Sequence, residues 1–445
     1  MFFRTILSDL RQWATSEHRK PLVLRGARQV GKTTVVDCFG NEFDNYLSLN
    51  LERDNVKEIF EMPISLDDMV KLLFSRAGKI RKKGNTLIFI DEIQNSARAM
   101  SLLRYFYEDM PEVHVIAAGS LLENVVDLQN SFPVGRVEFM AMHPCSFREF
   151  LVALGKENLL EVMENPQYVQ PFHAELMHLF NQYTIVGGMP EAVAQYAKKR
   201  DILAMDKVYE SLVHAYVADI VKYVKHGKLA EVVRFVIETA WAKAGEIITL
   251  GNFNNSQYNA RDVAEAFRTL QRSMLVELVY PTTATTVPVL PETKRMPKLL
   301  WIDTGLVNYQ AHIRRDLIAA NDILDVWRGH IAEQVVAQEL LALNNKIGQK
   351  RGFWMKDKAV AEVDFLFEFD SRLVPIEVKN GHNSHLRSLH SFVDASQRNN
   401  VAVRVWSQPY SVNKVTTIIG QKPFTLLNVP FYMVGNLPKL LGNVL

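Results

Sequence analysis

The chain has 445 residues, room for about three domains at roughly 150 residues each. Hydrophobic residues at 48% and charged residues at 22% are ordinary globular usage, which excludes a disordered, collagen-like or fibrous chain. Lys+Arg 51 against Asp+Glu 49 leaves only +2, so no whole-molecule field draws the chain onto nucleic acid or an anionic membrane. Any nucleic-acid surface is therefore a local patch. Cys38 and Cys145 lie far apart with no CxxC, which argues against a disulfide framework or zinc site and suits a reducing cytoplasm. Arg4 comes too early for a signal peptide, and no run approaches the roughly 18 apolar residues of a membrane span. The expectation is a cytoplasmic protein with no membrane partner.

Phe3, Ile6, Leu7, Leu10 and Trp13 fall at helical spacing and predict a short amphipathic lead-in helix. Pro21-Leu22-Val23-Leu24 reads as a buried strand entering a glycine-rich turn. Strand-like runs then alternate with helical stretches, at 46–51, 86–90 and 114–118, which predicts an α/β domain with a parallel sheet covered on both faces. Residues 145–245 read as mostly helical. The predicted divisions are 1–200, 201–310 and 311–445.

Gly26-Ala27-Arg28-Gln29-Val30-Gly31-Lys32-Thr33 matches GxxxxGK[ST] between a strand and a helix, with Thr34 next in line. Small residues let backbone N–H groups wrap phosphate oxygens at a helix N-terminus, where the helix dipole also favours anions. Lys32 would meet the β- and γ-phosphates of ATP, and Thr33 would ligate Mg2+. Thr86-Leu87-Ile88-Phe89-Ile90-Asp91-Glu92 is a buried strand delivering two acids to its C-terminal edge. Asp91 would hold the magnesium, and Glu92 would orient the attacking water. That adjacent acid favours an ATPase over a small-molecule P-loop kinase. The next strand ends at Gly119-Ser120, where Ser120 either senses the γ-phosphate or belongs to a turn. Arg136, after Gly135, is either an arginine finger, in cis or on a neighbouring subunit, or a surface residue.

The ordered motifs GARQVGKT, IFIDEIQ, AAGS, GRVEF…HPCSFREFL and YTIVGGMPEAV resemble a bacterial and archaeal AAA+ ATPase family with a restriction-endonuclease-like domain of unknown function at the C-terminus. The resemblance spans nearly the whole chain. It implies an AAA+ fold over residues 1–200, with Lys32 and Thr33 in Walker A, Asp91 and Glu92 in Walker B, Gln94, Ser120 as sensor 1, and Arg136 in a Gly-Arg motif. It also implies a lid turn at Gly187-Gly188-Met189-Pro190. Cys145 replaces the leucine usual in the Pro-Leu-Ser-Phe segment, and a core substitution without catalytic consequence is expected there.

In the middle of the chain, Asn259 is a good N-cap for a helix to about Ser273. Val263, Phe267 and Leu270 mark one face, and Arg261, Arg268 and Arg272 another. With the following strand and a Thr/Pro-rich loop carrying Lys294, Arg295 and Lys298, this resembles a winged helix-turn-helix that would bind DNA or RNA through residues 259–298. The alternative is a solvated or interdomain face, since Glu265 interrupts the stripe.

Toward the C-terminus, Asp364 lies on one predicted strand, with Glu377 and Lys379 sharing a face of the next. Two carboxylates there, Asp364 and Glu377, would bind magnesium or manganese, and Lys379 would stabilise a phosphorane-like transition state or activate water. Glu333 on the preceding helix would add an acid. This resembles the D…ExK signature of PD-(D/E)XK nucleases, with Val363 where proline is frequent; a cross-strand acid–lysine pair on a solvated face is the rival reading. His382, His385 and His390 are expected to be loop and helix-surface residues. The combined expectation is an ATP- and Mg2+-dependent ATPase controlling a nucleic-acid-binding or nuclease-like C-terminal region, able to form a homo-oligomer. A switch that binds its partner without cleaving it is the alternative.

Overall fold

The structure, a computed structural model, describes residues 2–52, 54–119, 135–223, 227–313, 330–348, 351–356, 361–379 and 386–445. Five strands form the first sheet: β1 (Leu22–Arg25), β2 (Asn45–Asn50), β3 (Thr86–Asp91), β4 (Val113–Gly119) and β5 (Glu138–Ala141). They are all parallel, in the order β2-β3-β4-β1-β5. β1, β3 and β4 are buried at every position, the consequence of helices on both faces of a parallel sheet. Because side chains alternate along a strand, Leu22 and Leu24 enter one core cluster while Val23 enters another. Each fully buried side chain of this size stabilises the fold by roughly 1.5–3 kcal/mol.

The lead-in helix Ile6–Thr15 buries Ile6, Leu7, Leu10 and Trp13, as its spacing predicts. After β5, helices dominate: Phe147–Ala153, Asn158–Glu164, His173–Val186, Pro190–Lys199, Asp206–Tyr223 and Lys228–Thr239. Ser146 and Glu149 close a reciprocal capping box at the first of these. Ala260–Arg272 follows, capped by the Asn259 side chain, which accepts a hydrogen bond from the Asp262 N–H at 2.9 Å. Its buried face carries Val263, Phe267 and Leu270.

The second sheet has eight strands: β6 (Val276–Thr282), β7 (Lys298–Trp301), β8 (Gly352–Met355), β9 (Glu362–Phe369), β10 (Arg372–Val378), β11 (Val401–Trp406), β12 (Ser411–Thr416) and β13 (Pro423–Pro430). Their order is β12-β13-β11-β10-β9-β8-β6-β7. β9 and β10 make a tight hairpin in which Phe369 pairs with Arg372. Asp370 and Ser371 both take positive φ, 46° and 58°, the twist a two-residue hairpin loop needs.

The β6/β7 hairpin departs from the expected division at residue 310. It does not stand apart as a wing, because β6 pairs in parallel with β8, Tyr280 opposite Gly352 through Thr282 opposite Trp354. One core cluster runs from Ile6 through the helices and Trp301 to Leu427 and Leu441. The opposite face of the second sheet is covered by a separate cluster that includes Trp354, Val363 and Phe392. Among the described residues, no helix is long and apolar enough to cross a membrane.

Candidate functional site

The glycine-rich loop leaves the C-terminal end of β1 and enters the helix Lys32–Gly40. Gly31 has φ 96°, a conformation that favours glycine, and a Cβ on Gly26 would sit 2.5 Å from the Met142 carbonyl oxygen. Both glycines are therefore dictated by the loop's path. Lys32 is buried, and its ammonium donates to the carbonyls of Gly26 and Ala27 at 2.8 and 2.9 Å. Burial pulls it down to about 8, although Glu92 and Asp91 act in the opposite direction. The Thr33 hydroxyl donates to Asp91 at 2.7 Å, joining the two residues expected to share the magnesium. Glu92 follows β3 with φ 52°; its carboxylate accepts from the Gln94 amide, and burial raises its pKa.

Other contacts around the loop have no motif to announce them. Buried Arg4 donates to the Val30 carbonyl at 3.0 Å and to the His143 carbonyl at 2.7 Å, and it pairs with Glu149 at 3.1 Å. Arg28 forms an ion pair with Asp219, and the Tyr216 hydroxyl donates to the Arg28 carbonyl at 3.0 Å. The Asp206–Tyr223 helix is thus fastened to the loop by two side chains three residues apart.

Arg136 is exposed and pairs with Glu108 at 2.9 Å. It precedes β5, whose first residue, Glu138, lies opposite Leu22 at the start of β1. In a parallel sheet that is the edge opposite the loop, so the reading of Arg136 as a finger in cis is corrected; its place is an exposed surface position paired with Glu108. Ser120 lies outside the described residues.

A second cluster gathers around β9 and β10. The Asp364 carboxylate accepts from the Val378 N–H at 2.7 Å, and Lys379 donates to Glu377 at 2.6 Å. Glu333 joins them from the helix His330–Ala342. The expected group is therefore brought together, but it contains another member. Lys298, expected on a wing touching phosphate, is buried at the start of β7 and lies 2.7 Å from Glu333, 3.2 Å from Glu362 and 3.9 Å from Asp364. The wing reading of Lys298 is corrected accordingly. Its ammonium also faces the rings of Phe353 and Phe365 at 5.1 and 5.4 Å. These carboxylates hold the Lys298 pKa above its ordinary value despite burial. Burial and mutual repulsion raise Asp364 and Glu377.

The metal expected at Asp364 and Glu377 thus meets a protein cation already bonded to neighbouring acids. Among the described residues, no group of three or more His, Cys, Asp or Glu side chains is arranged to hold a metal. A lysine leading the apolar run Leu299-Leu300-Trp301-Ile302 was the sequence signal for a buried charge. Of the arginine stripe, Arg261 and Arg268 are exposed, Arg268 is paired with Glu265, and Arg272 is half-buried. Arg295 pairs with Glu292 at 3.1 Å. His390 is described, and its ring accepts from the Ile418 N–H at 3.2 Å; His382 and His385 lie outside the described residues.

Between the two sites lies a buried polar junction. The Tyr183 hydroxyl is 2.7 Å from Glu339 and 2.8 Å from the Cys145 carbonyl, and it accepts from the Gln338 amide at 2.8 Å. Glu339 also accepts from the Phe147 N–H at 2.9 Å, and burial pushes its carboxyl up to about 7. Asp303 accepts from Gly188 N–H of the expected lid turn and caps the next helix through Leu306 N–H at 2.9 Å. Cys145 is buried in the core, where its thiol is pushed up to about 12.

A parallel sheet in this order, with a lysine-bearing glycine loop after β1 and paired acids after β3, defines the N-terminal unit as a P-loop ATPase domain. Residues 18–151 match the AAA domain family. Residues 177–317 match a domain of unknown function (DUF8612), and residues 328–430 match another (DUF4143). No curated protein matches the chain. Among solved structures, a Walker-type ATPase of Pyrococcus abyssi is similar at 14% identity and TM-score 0.41, covering 70% of this chain and 96% of that one. The Aeropyrum pernix ORC1 protein in complex with DNA is similar at 13% identity and TM-score 0.30, covering 71% and 94%.

Proposed function

We propose that the protein is a Mg2+-dependent ATPase whose nucleotide state controls a nuclease-like C-terminal region that binds a partner without cleaving it. Lys32 and the loop N–H groups hold the phosphates, Thr33 and Asp91 hold magnesium, and Glu92 orients the water. The donor set of one hydroxyl and one carboxylate suits a hard cation that keeps most of its waters.

The observation that carries the control is the Glu339 carboxylate. It binds Phe147 N–H in the ATPase unit while riding the same helix as Glu333, which binds Lys298. Arg4 supplies the other half of the link, touching the Val30 carbonyl in the loop and Glu149 in the capping box ahead of Phe147. Lys298 favours binding over cleavage, because its ammonium takes up the carboxylate charge a catalytic cation would need. DNA or RNA is the proposed partner, through the exposed basic residues of the 259–298 segment, such as Arg261, and the C-terminal region. Arg136, exposed at the far sheet edge, supports a homo-oligomer in which it completes a neighbour's site.

Purified protein would be assayed for phosphate release and for divalent-metal-dependent cleavage of DNA and RNA, beside Lys32→Ala, Glu92→Gln and a Glu377→Ala/Lys379→Ala double variant. Steady ATP hydrolysis without cleavage is expected. Metal-dependent cleavage lost in the double variant would replace the binding reading with a nuclease. Phosphate release equal in wild type and Glu92→Gln would remove the ATPase reading.

A further inference from the structure

Residues 395–445 contain no aspartate or glutamate, in a chain with 49 acids among 445 residues. They carry five cations: Arg398, Arg404, Lys414, Lys422 and Lys439. Of these, Lys439 alone is ion-paired within the described residues, with Glu164 at 2.6 Å. Lys414 donates to the Thr425 hydroxyl, and Lys422 donates to the backbone carbonyls of Asp394 and Ser396. Their bonded partners are neutral. The segment builds β11, β12 and β13, so one side of the second sheet carries positive charge that its own residues do not balance. A local excess of this kind attracts polyanions even where the whole chain is near neutral.

Arg404 is the cation this sheet holds in a fixed pose. It stands in a lateral row across four strands, with Glu377 of β10 on one side and Asn428 of β13 and Ser411 of β12 on the other. Its Nε donates to Asn428 Oδ1 at 2.8 Å, and its guanidinium carbon lies 3.7 Å from the centroid of the Trp406 ring. Asn428 is buried, and its amide donates to Ser411 Oγ at 3.0 Å and to Asn413 Oδ1 at 2.6 Å. A fully bonded asparagine and an indole face thus fix the guanidinium plane without answering its charge. The terminal nitrogens of Arg404 make no hydrogen bond and reach the surface. Glu377, the acid beside it, is bonded to Lys379. Burial lowers the Arg404 pKa and no acid opposes it, whereas Glu149 does so at Arg4 and Asp219 at Arg28. A planar fork held this way matches two oxygens of a phosphate.

We propose that Arg404 grips a backbone phosphate of a nucleic-acid strand, with Lys414 and Lys422 supplying the surrounding positive field. The site rests on the nucleic-acid reading given above and locates one contact of that partner. The row beside Arg404 is polar throughout, so it gives the apolar side chains of a peptide no socket; a backbone of evenly spaced phosphates needs none. The strand would pass next to Glu377 and Lys379, one β-strand away, and be held there without being cut.

The test uses the full chain with a non-hydrolysable ATP analogue at saturation, so that the phosphate loop is filled. Anisotropy of a fluorescein-labelled single-stranded oligonucleotide, and of the matching duplex, is followed between about 50 and 200 mM salt. Binding of at least one of the two is expected. Arg404→Met removes the charge and keeps a long side chain over Trp406; it should weaken binding at least about tenfold, or about 1.4 kcal/mol. The salt slope should also fall by roughly one phosphate contact, a change of about 0.7–0.9 in log affinity per log salt. Arg404→Lys keeps the charge without the fork, so the slope should hold while affinity falls several-fold. That variant also serves if the methionine one does not fold. Asn428→Asp supplies the guanidinium with an internal carboxylate and should weaken binding as Arg404→Met does. Lys439→Met should change nothing, because Glu164 already answers that charge. Oligonucleotide binding with unchanged affinity in Arg404→Met and Arg404→Lys would overturn this site and leave the partner reading to residues 259–298. Failure of both oligonucleotides to bind the wild type would overturn the partner reading and this site together. A polyglutamate peptide that binds more tightly than either, and is lost in Arg404→Met, would overturn nucleic acid in favour of an acidic protein.

Discussion

Two buried lysines, Lys32 and Lys298, sit in opposite electrostatic situations. Lys32 has carbonyl oxygens as its bonded partners, and burial pulls its pKa down to about 8. Lys298 is ringed by Glu333, Glu362 and Asp364, and they hold its pKa up. One site is a cation awaiting an anion; the other is a cation already answered. The same residue type is thus poised to receive phosphate in one sheet and serves as an internal counter-ion in the other.

Lys298→Ala should break the contrast most severely, since it strands buried carboxylates. A loss of about 3–5 kcal/mol is expected in urea unfolding, the scale for removing one partner of a buried pair. A loss below about 1 kcal/mol would mean that the cluster is solvated and open to metal, as surface pairs are. Lys32→Ala should do the reverse. Turnover should fall about 10²–10³-fold, as for loss of a group stabilising transition-state charge, while stability holds.

The pH dependence of the two regions also separates them. Phosphates restore the ordinary protonation of Lys32, so ATP binding measured by calorimetry above pH 8 should take up a proton that Lys32→Ala does not. Glu339, raised from 4.5 to about 7, keeps its proton in the folded chain where the unfolded chain loses it. Its contribution to stability is therefore present below pH 4.5 and lost as pH rises to 7; Glu339→Gln should flatten that part of the urea-midpoint profile. The smallest effect belongs to the partly exposed Arg28–Asp219 pair, where Asp219→Asn should cost under about 1 kcal/mol in thermal unfolding.

The phosphate loop was legible because its chemistry is contiguous: eight residues, one turn, one helix start. The β3 acids were legible because a buried strand must deliver Asp91 and Glu92 to its edge. The Asp364, Glu377 and Lys379 grouping followed from alternation along two adjacent strands. Lys298 was misread because its partners lie 35 and 66 residues away, beyond any local pattern, and because threonines and prolines nearby suggest a loop. Arg4 and Glu339 were missed for the same reason, as each joins distant segments through buried bonds. The parallel pairing of β6 with β8 likewise bridges about 70 residues, so composition alone placed a boundary inside a sheet.

That pairing has a practical consequence for dissecting the chain. A fragment beginning at residue 311 would lose β6 and β7, leaving one side of β8 as a raw edge of unpaired amides bearing Phe353 and Trp354. Such an edge recruits other strands, so the fragment should self-associate or precipitate. Starting the fragment upstream of Val276 keeps the edge covered and retains Lys298 among its acids.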